Sequence, residues 1–352
     1  MKEIEKKIVE QAEKALNICL DDTLHARLLS IRRVVPIENS AADFIAEVET
    51  PLGTRTLLAE VKNNGQPRFA REAVNQLVRL TQALPGSTGL FMAPYVSPRS
   101  AEICRADGVS YLDFAGNCRL VFDSIYIERK GELNPYIRKS DLNSLYTPKA
   151  ERILRVLLNR PKRSWKMQDL AKEAKVSLGQ TANVKKLLLD REWITANQDG
   201  LSLREPEALL SEWSGRYTFR KNIVRSYYSL KSIREIEAEF AEVGGGPEPD
   251  CVLTGFSAAA RYAPAVRYRR VMAYAKGPVD EIVNKAGLIE APSGANVLLL
   301  EPYDESLLYG AGEIEGIWIV SPVQAYLDLV GYKGRGEEAA ETLLEKVLRP
   351  AW

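Results

Sequence analysis

The chain has 352 residues, of which 45% are hydrophobic and 27% charged, with a formal net charge of +1. That composition builds ordinary cores, and the length suits two or three domains. No apolar run approaches the roughly 18 residues that cross a bilayer, and the amino terminus, MKEIEKKIVEQAEKAL, reads as a charged amphipathic helix rather than a signal peptide. The expectation is a cytoplasmic protein with no membrane partner.

Cys19, Cys104, Cys118 and Cys251 are scattered, no Cys-x-x-Cys pair occurs, and His25 is the lone histidine. Neither structural zinc nor disulfides are expected from that spacing. A single histidine also argues against a Ser-His-Asp triad, so His25 reads as a helix-surface or core residue. Any catalysis is left to carboxylates, lysines and a hard metal ion.

The first predicted element is a helix on which Ile4, Ile8, Val9, Ala12, Ala15 and Leu16 recur at helical spacing. Strands follow over Asp43–Glu49 and Thr56–Val61, joined through the turn signal Pro51-Leu52-Gly53. Next come a helix Arg71–Ala83, a strand Gly89–Met92, a helix Pro98–Asp107, and strands Ser110–Asp113 and Arg119–Phe122. The order predicts a mixed α/β domain over residues 1–145.

The second hairpin strand ends in Glu60-Val61-Lys62. A period of two puts Glu60 and Lys62 on one face, and Asp43 begins the antiparallel partner strand across from them. Two carboxylates within reach of one divalent ion, with a lysine near an attacked phosphate, form the arrangement a metal-dependent nuclease needs. Alternating opposite charges also occur on ordinary solvated strands. At these residues the chain resembles the PD-(D/E)xK, or restriction-endonuclease-like, fold. The resemblance implies Asp43 as first carboxylate, Glu60 as second and Lys62 as lysine, with Asp43 and Glu60 as Mg²⁺ ligands. It also places Gln76 of the following helix toward the site, and Glu10 or Glu13 of the first helix as a further carboxylate. The same pattern would persist in a domain that had become a DNA-binding or scaffolding module. Asp113 and Asn117, around Ala115-Gly116, read either as an Asx-bonded turn with positive φ at Gly116 or as the rim of the same cleft.

From Pro148 the pattern turns helical, with Glu151–Leu158, Met167–Ala174 and Leu178–Asp190, then a hairpin Trp193–Leu203 around Asp199-Gly200. Three helices and a ribbon predict a winged helix-turn-helix over 146–206. Pro148 to Asn222 holds 16 Lys and Arg against 9 Asp and Glu, a net of +7 that leaves −6 on the remainder. The recognition helix starts at Ser177 as N-cap. It offers Gln180, Thr181, Asn183, Lys185 and Lys186 to DNA on faces not needed for packing by Leu178, Val184, Leu187 and Leu188. Asn or Gln there can read adenine in the major groove. Lys162, Arg163, Lys166 and Arg191 are the phosphate contacts expected around it. Small winged helices also mediate protein contacts; the +7 charge favours double-stranded DNA.

A helical linker is predicted over 207–248, led by a connection Glu207–Glu242 and ending in the flexible VGGGPEPD. An α/β domain follows over 249–352, closing with a helix Glu337–Val347. Thr254-Gly255-Phe256-Ser257 faintly resembles the helix start with which nucleotidyltransferases hold a triphosphate. Arg267-Tyr268-Arg269-Arg270 stands where the metal-binding aspartates of those enzymes fall, so the alternative is a helix start chosen for close packing. Ser321-Pro-Val-Gln-Ala-Tyr-Leu-Asp328-Leu and Gly334-Arg-Gly-Glu-Glu338 look like the AbiEi-type antitoxin and transcriptional-regulator family of type IV toxin–antitoxin systems, over about the last 200 residues. The resemblance implies a DNA-binding autorepressor with a nucleotidyltransferase-like toxin as partner; the domains flanking the winged helix would add phosphate contacts or dimerise, and a homodimer would meet symmetric half-sites. Arg335, Glu337 and Glu338 are then either helix-start charges or part of a partner or DNA surface. In this chain the winged helix is central rather than amino-terminal, and a nuclease-like domain precedes it. The rival expectation is a Mg²⁺-dependent endonuclease that the winged helix targets to DNA.

Overall fold

A computed structural model of the chain describes residues 2–23, 25–37, 40–122, 125–132, 145–243, 249–332 and 335–352. It divides into two compact units, residues 1–142 with 187–192, and residues 143–186 with 193–352.

The first unit is built on a seven-stranded sheet, in spatial order β1 (Arg27–Ile37), β2 (Ser40–Thr50), β3 (Gly53–Val61), β4 (Ser87–Ala93), β5 (Ser110–Asp113), β6 (Cys118–Phe122) and β7 (Ile125–Arg129). Strands β3, β4 and β5 run parallel, and the other neighbouring pairs are antiparallel. Alternation along the strands sends Phe44, Ala46, Leu57, Ala59, Leu90 and Met92 to one face. There they meet Ala12, Leu16, Cys19 and Leu20 of helix α1 (Lys2–Asp21). Ile45, Leu58, Phe91 and Tyr111 go to the other face and pack with Ala70, Val74 and Leu77 of α2 (Pro67–Ala83), and with Ile103 and Cys104 of α3 (Pro98–Ala106). Both faces are covered, as a parallel centre requires.

Strand β1 was not expected, because Arg32-Arg33 and Pro36 weaken its strand signature; it holds an outer position in the sheet, where proline and charge are tolerated. Strand β7 was also absent from the sequence reading. His25 lies in an exposed turn after α1, not on a helix.

The second unit begins with α4 (Pro148–Asn159), α5 (Met167–Glu173) and α6 (Leu178–Asp190), followed by the hairpin β8 (Ile194–Asn197) and β9 (Gly200–Leu203). Three helices and a ribbon therefore occupy the expected segment, although the division between the units falls within α6. The Asn197 carboxamide oxygen accepts from the Asp199 and Gly200 amides and closes the hairpin.

The segment 207–248 differs from a helical linker. It holds α7 (Pro206–Ser214), then strand β10 (Ile223–Tyr228), then α8 (Ile233–Val243). Ile223-Val224 and Tyr227-Tyr228 are β-branched and aromatic residues that suit a pleated surface. They seat β10 beside β14 (Val297–Glu301) in a second seven-stranded sheet. That sheet runs β13 (Ile289–Glu290), β10, β14, β12 (Val271–Ala275), β11 (Cys251–Thr254), β16 (Ile317–Ile319), β15 (Gly312–Ile314). Helices α9 (Gly255–Tyr262), α10 (Val279–Ala286), α11 (Pro322–Val330) and α12 (Arg335–Leu343) accompany it, and a helical tail, Leu344–Ala351, continues from the last. Residues 244–248 of the glycine-rich boundary and Gly334 lie outside the described residues.

Candidate functional site

Where β2 and β3 pair, Phe44 faces Ala59, which brings Asp43 beside Glu60. The Val61 amide donates to Asp43 Oδ2 at 2.7 Å. Glu60 points to the face covered by α2 and is buried there at 4% exposure. Its two oxygens are both engaged. Lys62 Nζ donates to Oε1 at 2.6 Å, and Gln76 Nε2 of α2 donates to Oε2 at 2.9 Å and to the Ala41 carbonyl at 2.9 Å. The four residues singled out in the sequence, Asp43, Glu60, Lys62 and Gln76, thus converge at one end of β3.

Burial is the main force on Glu60 and the negative Asp43 adds to it; Lys62 opposes both through its hydrogen bond and charge, and the pKa is pushed up to about 7. A desolvated carboxylate pair of this kind takes either a proton or a cation. Two carboxylates suit Mg²⁺, which binds through one or two of them and keeps several waters. Among the described residues, no group of three His, Cys, Asp or Glu gathers as a metal site.

Glu10 and Glu13 do not join. Glu13 forms a bidentate pair with Arg33 at 2.6 Å for each bond, and Glu10 lies 3.6 Å from the same guanidinium, so the two carboxylates are tied to β1. Asp113 is fully buried and structural. It accepts from the Ala115 and Asn117 amides, the Val96 amide and the Asn117 side chain, while Asn117 brackets Glu132. Gly116 has φ +107°, as a turn through that position requires. The Asx-turn alternative is the one these bonds describe.

On the helical segment of the second unit, Ser177 caps α6 by accepting from the Gln180 amide at 3.2 Å. Ser177, Asn183 and Lys186 are exposed, and Gln180 and Lys185 are partly so. Lys162, Arg163 and Lys166 are exposed upstream. The Arg163 guanidinium lies over the Trp165 ring at 3.9 Å, and Lys166 Nζ reaches the Gln198 carbonyl at 3.5 Å. Two of the expected contacts are not presented to DNA. Thr181 is fully buried, with its hydroxyl donating to the Ser177 carbonyl, and Arg191 is buried with Nη1 donating to the Leu187 carbonyl. Leu178, expected in the core, is exposed.

A buried polar network that the sequence reading did not single out joins α4 to α11. The Asp328 carboxylate, without solvent exposure, accepts from Tyr217 at 2.7 Å, Thr254 at 2.5 Å, Tyr274 at 3.0 Å and Gln324 at 3.0 Å. Arg155 donates to Gln324 Oε1 at 3.1 Å, lies 3.5 Å from Glu151 and sits over the Trp213 ring at 4.9 Å. Glu151 also takes Lys221 Nζ at 3.0 Å and the Tyr303 hydroxyl. Burial raises the Asp328 pKa while its four donors pull it down, with Thr254 the largest of them. Charged residues at i and i+4 on the apolar stripe of Glu151–Leu158, and an aspartate inside Val-Gln-Ala-Tyr-Leu-Asp-Leu, were the available signals.

The same network explains the Gly-Ser helix start. Thr254 is bound to Asp328, and a side chain at Gly255 (φ +56°) would meet Met272 Sδ at 2.8 Å. A carboxylate already sits against Thr254, so the start of α9 serves close packing rather than a triphosphate. Arg335 donates to the Arg267 carbonyl at 2.9 Å, whereas Glu337 and Glu338 are exposed in the first turn of α12.

These features define a protein of two mixed α/β units, the second opening with three helices and a ribbon. Residues 202–349 match the family model described as "Transcriptional regulator, AbiEi antitoxin, Type IV TA system". That part of the chain is similar to AbiEi-type antitoxins, and it includes β10, α11 and Asp328 with its donors Tyr217, Thr254, Tyr274 and Gln324. No curated protein matches the chain. Among solved structures, a repair endonuclease from Pyrococcus abyssi aligns at 12% identity and TM-score 0.22, over 29% of this chain and 46% of its own. The chain thus spans about half the length of that protein. Among the described residues, no helix is long and apolar enough to cross a membrane.

Proposed function

We propose that the protein is a sequence-selective, DNA-binding transcriptional regulator of the antitoxin type. In this reading α4–α6 and the β8–β9 hairpin form a winged helix that reads an operator in front of its own gene. The observation that carries it is the solvent-facing set on and before α6, Ser177, Gln180, Asn183, Lys185 and Lys186 beside Lys162, Arg163 and Lys166. Polar side chains near a helix amino terminus read base edges, and the cations hold phosphates. The family match over residues 202–349 supports a role in a toxin–antitoxin system. The partner would be a nucleotidyltransferase-like toxin, and a homodimer would occupy symmetric half-sites.

A second reading is favoured by the convergence of Asp43, Glu60, Lys62 and Gln76, which makes the first unit a restriction-endonuclease-like, Mg²⁺-dependent nuclease directed by the second unit. Asp43 and Glu60 would hold the ion, Lys62 would stabilise charge on the attacked phosphate, and Gln76 would orient Glu60. When bound, the ion would lower the pKa of water and neutralise developing charge.

A gel titration on labelled upstream DNA with Mg²⁺ separates the two. A sequence-selective shift without cleavage upholds the regulator, and binding without sequence preference removes it. Cleavage that disappears with a chelator and with Lys62→Ala upholds the nuclease, whereas cleavage that survives Lys62→Ala removes that mechanism. Co-purification with the product of the adjacent gene tests the toxin partner.

A further inference from the structure

Cys19 and Cys118 stand 99 positions apart in the chain, yet the fold brings their sulfurs to 3.7 Å in the core between α1 and the sheet. Both thiols are free, and both side chains are almost wholly buried. Cys19 is in the last turn of α1 and Cys118 opens β6. A second contact fixes the same two elements. Arg129, paired in register with Cys118, forms a 3.0 Å ion pair with Asp22, three residues after Cys19. The end of α1 is thereby held against the strand pair with the two sulfurs facing each other.

We propose that Cys19 and Cys118 are a redox-modification site that a hydroperoxide converts to a disulfide stapling α1 to β6. The thiolate of Cys19 attacks one peroxide oxygen, the O–O bond breaks and a sulfenic acid forms with release of hydroxide. The Cys118 sulfur then attacks the Cys19 sulfur, the S–O bond breaks and water leaves. In total two thiols are oxidised, one hydrogen peroxide is reduced and two waters form. The sulfurs must approach from 3.7 Å to the roughly 2.05 Å of a disulfide. The roles are unequal: the hydrogen bond with Cys118 and the nearby Arg129 lower the Cys19 thiol pKa against the cost of burial, while the same hydrogen bond and burial raise that of Cys118. Cys104 and Cys251 lack such a neighbour, and burial raises both their thiols.

The test treats the full native chain with hydrogen peroxide, quenches, denatures and counts the remaining thiols. Of the four cysteines, two are expected to remain, with the mass lower by two hydrogen atoms and a Cys19–Cys118 peptide seen before reduction but not after dithiothreitol. The closed loop should raise the melting midpoint of the first unit by on the order of 5–10 °C. A Cys104→Ser, Cys251→Ser double variant should form the same bond, and Cys118→Ala should not. Four thiols that persist in the native chain, under conditions that consume them in the denatured chain, overturn the proposal. So does a disulfide that involves Cys104 or Cys251, or an oxidised chain that melts no higher than the reduced one.

Discussion

Glu60→Gln is expected to make the first unit more stable at pH 8 and to flatten its dependence on pH. The Glu60 pKa is raised from 4.5 to about 7 in the fold. Below the unfolded value the carboxyl is protonated in both states and the contribution is neutral. Between these two values the unfolded chain has lost its proton and the folded chain still holds it, so stability falls as pH rises, then levels off above about 7. The shift of 2.5 units, at about 1.36 kcal/mol each, amounts to roughly 3 kcal/mol between pH 4 and pH 8. Gln removes that loss, and the bond of the charged form to Lys62 is already contained in the net shift, so a gain of about 3 kcal/mol is expected at pH 8. Trp165, Trp193, Trp213, Trp318 and Trp352 all lie in the second unit and do not report on the first. Hydrogen exchange of the β3 peptide, corrected for intrinsic rates, is therefore the readout, with a carbon-detected NMR titration of the Glu60 carboxyl beside it. A wild-type midpoint in the ordinary carboxylate range, or equal pH dependence in the two proteins, refutes the electrostatic account.

The same titration should shift down in Asp43→Asn and up in Lys62→Met, since each removes one of the opposing charges; saturating Mg²⁺ should lower the midpoint in wild type and much less in Asp43→Asn. Asp328→Ala strands four donors in the second core and is expected to cost about 3–5 kcal/mol, read by tryptophan fluorescence in urea, with Asp328→Asn costing less; a change under about 1 kcal/mol would show that the network carries little energy. In salt titrations of operator binding, Lys162→Ala should reduce the slope of log K against log salt by about one. Asn183→Ala should relax base preference by about 1–3 kcal/mol, while Thr181→Val, altering a buried hydroxyl, should leave base preference unchanged; a changed preference there would place the recognition surface elsewhere.

Periodicity located most of the helices, the β2–β3 hairpin, and Asp43, Glu60 and Lys62 at its end, because amphipathic repeats and strand alternation are local properties of the chain; Gln76 came from the fold resemblance. Helix α6 runs over the predicted residues, and the Asp199-Gly200 turn falls where it was expected. Glu60 and Lys62 share a face by the geometry of any strand, so their pairing was legible before the fold was known. Strands β1 and β10 were not legible, since Arg32, Arg33 and Pro36 in one and the polar Arg225-Ser226 in the other dilute the local signal; neighbouring strands supply what propensity lacks.

What the tertiary structure decided is which partner each polar group meets. Glu13 is held by Arg33, Asp113 by its own turn and Thr181 by its own helix, although the letters would have allowed each a functional place. Asp328 and Arg155 become the centre of the second unit because distant segments enclose them, and Cys19 meets Cys118 only when α1 lies on the sheet. The sequence by itself determined local elements and the residue types available for chemistry. Distances, burial and the raised pKa of Glu60 depend on long-range packing, and that packing decides how the residues are used.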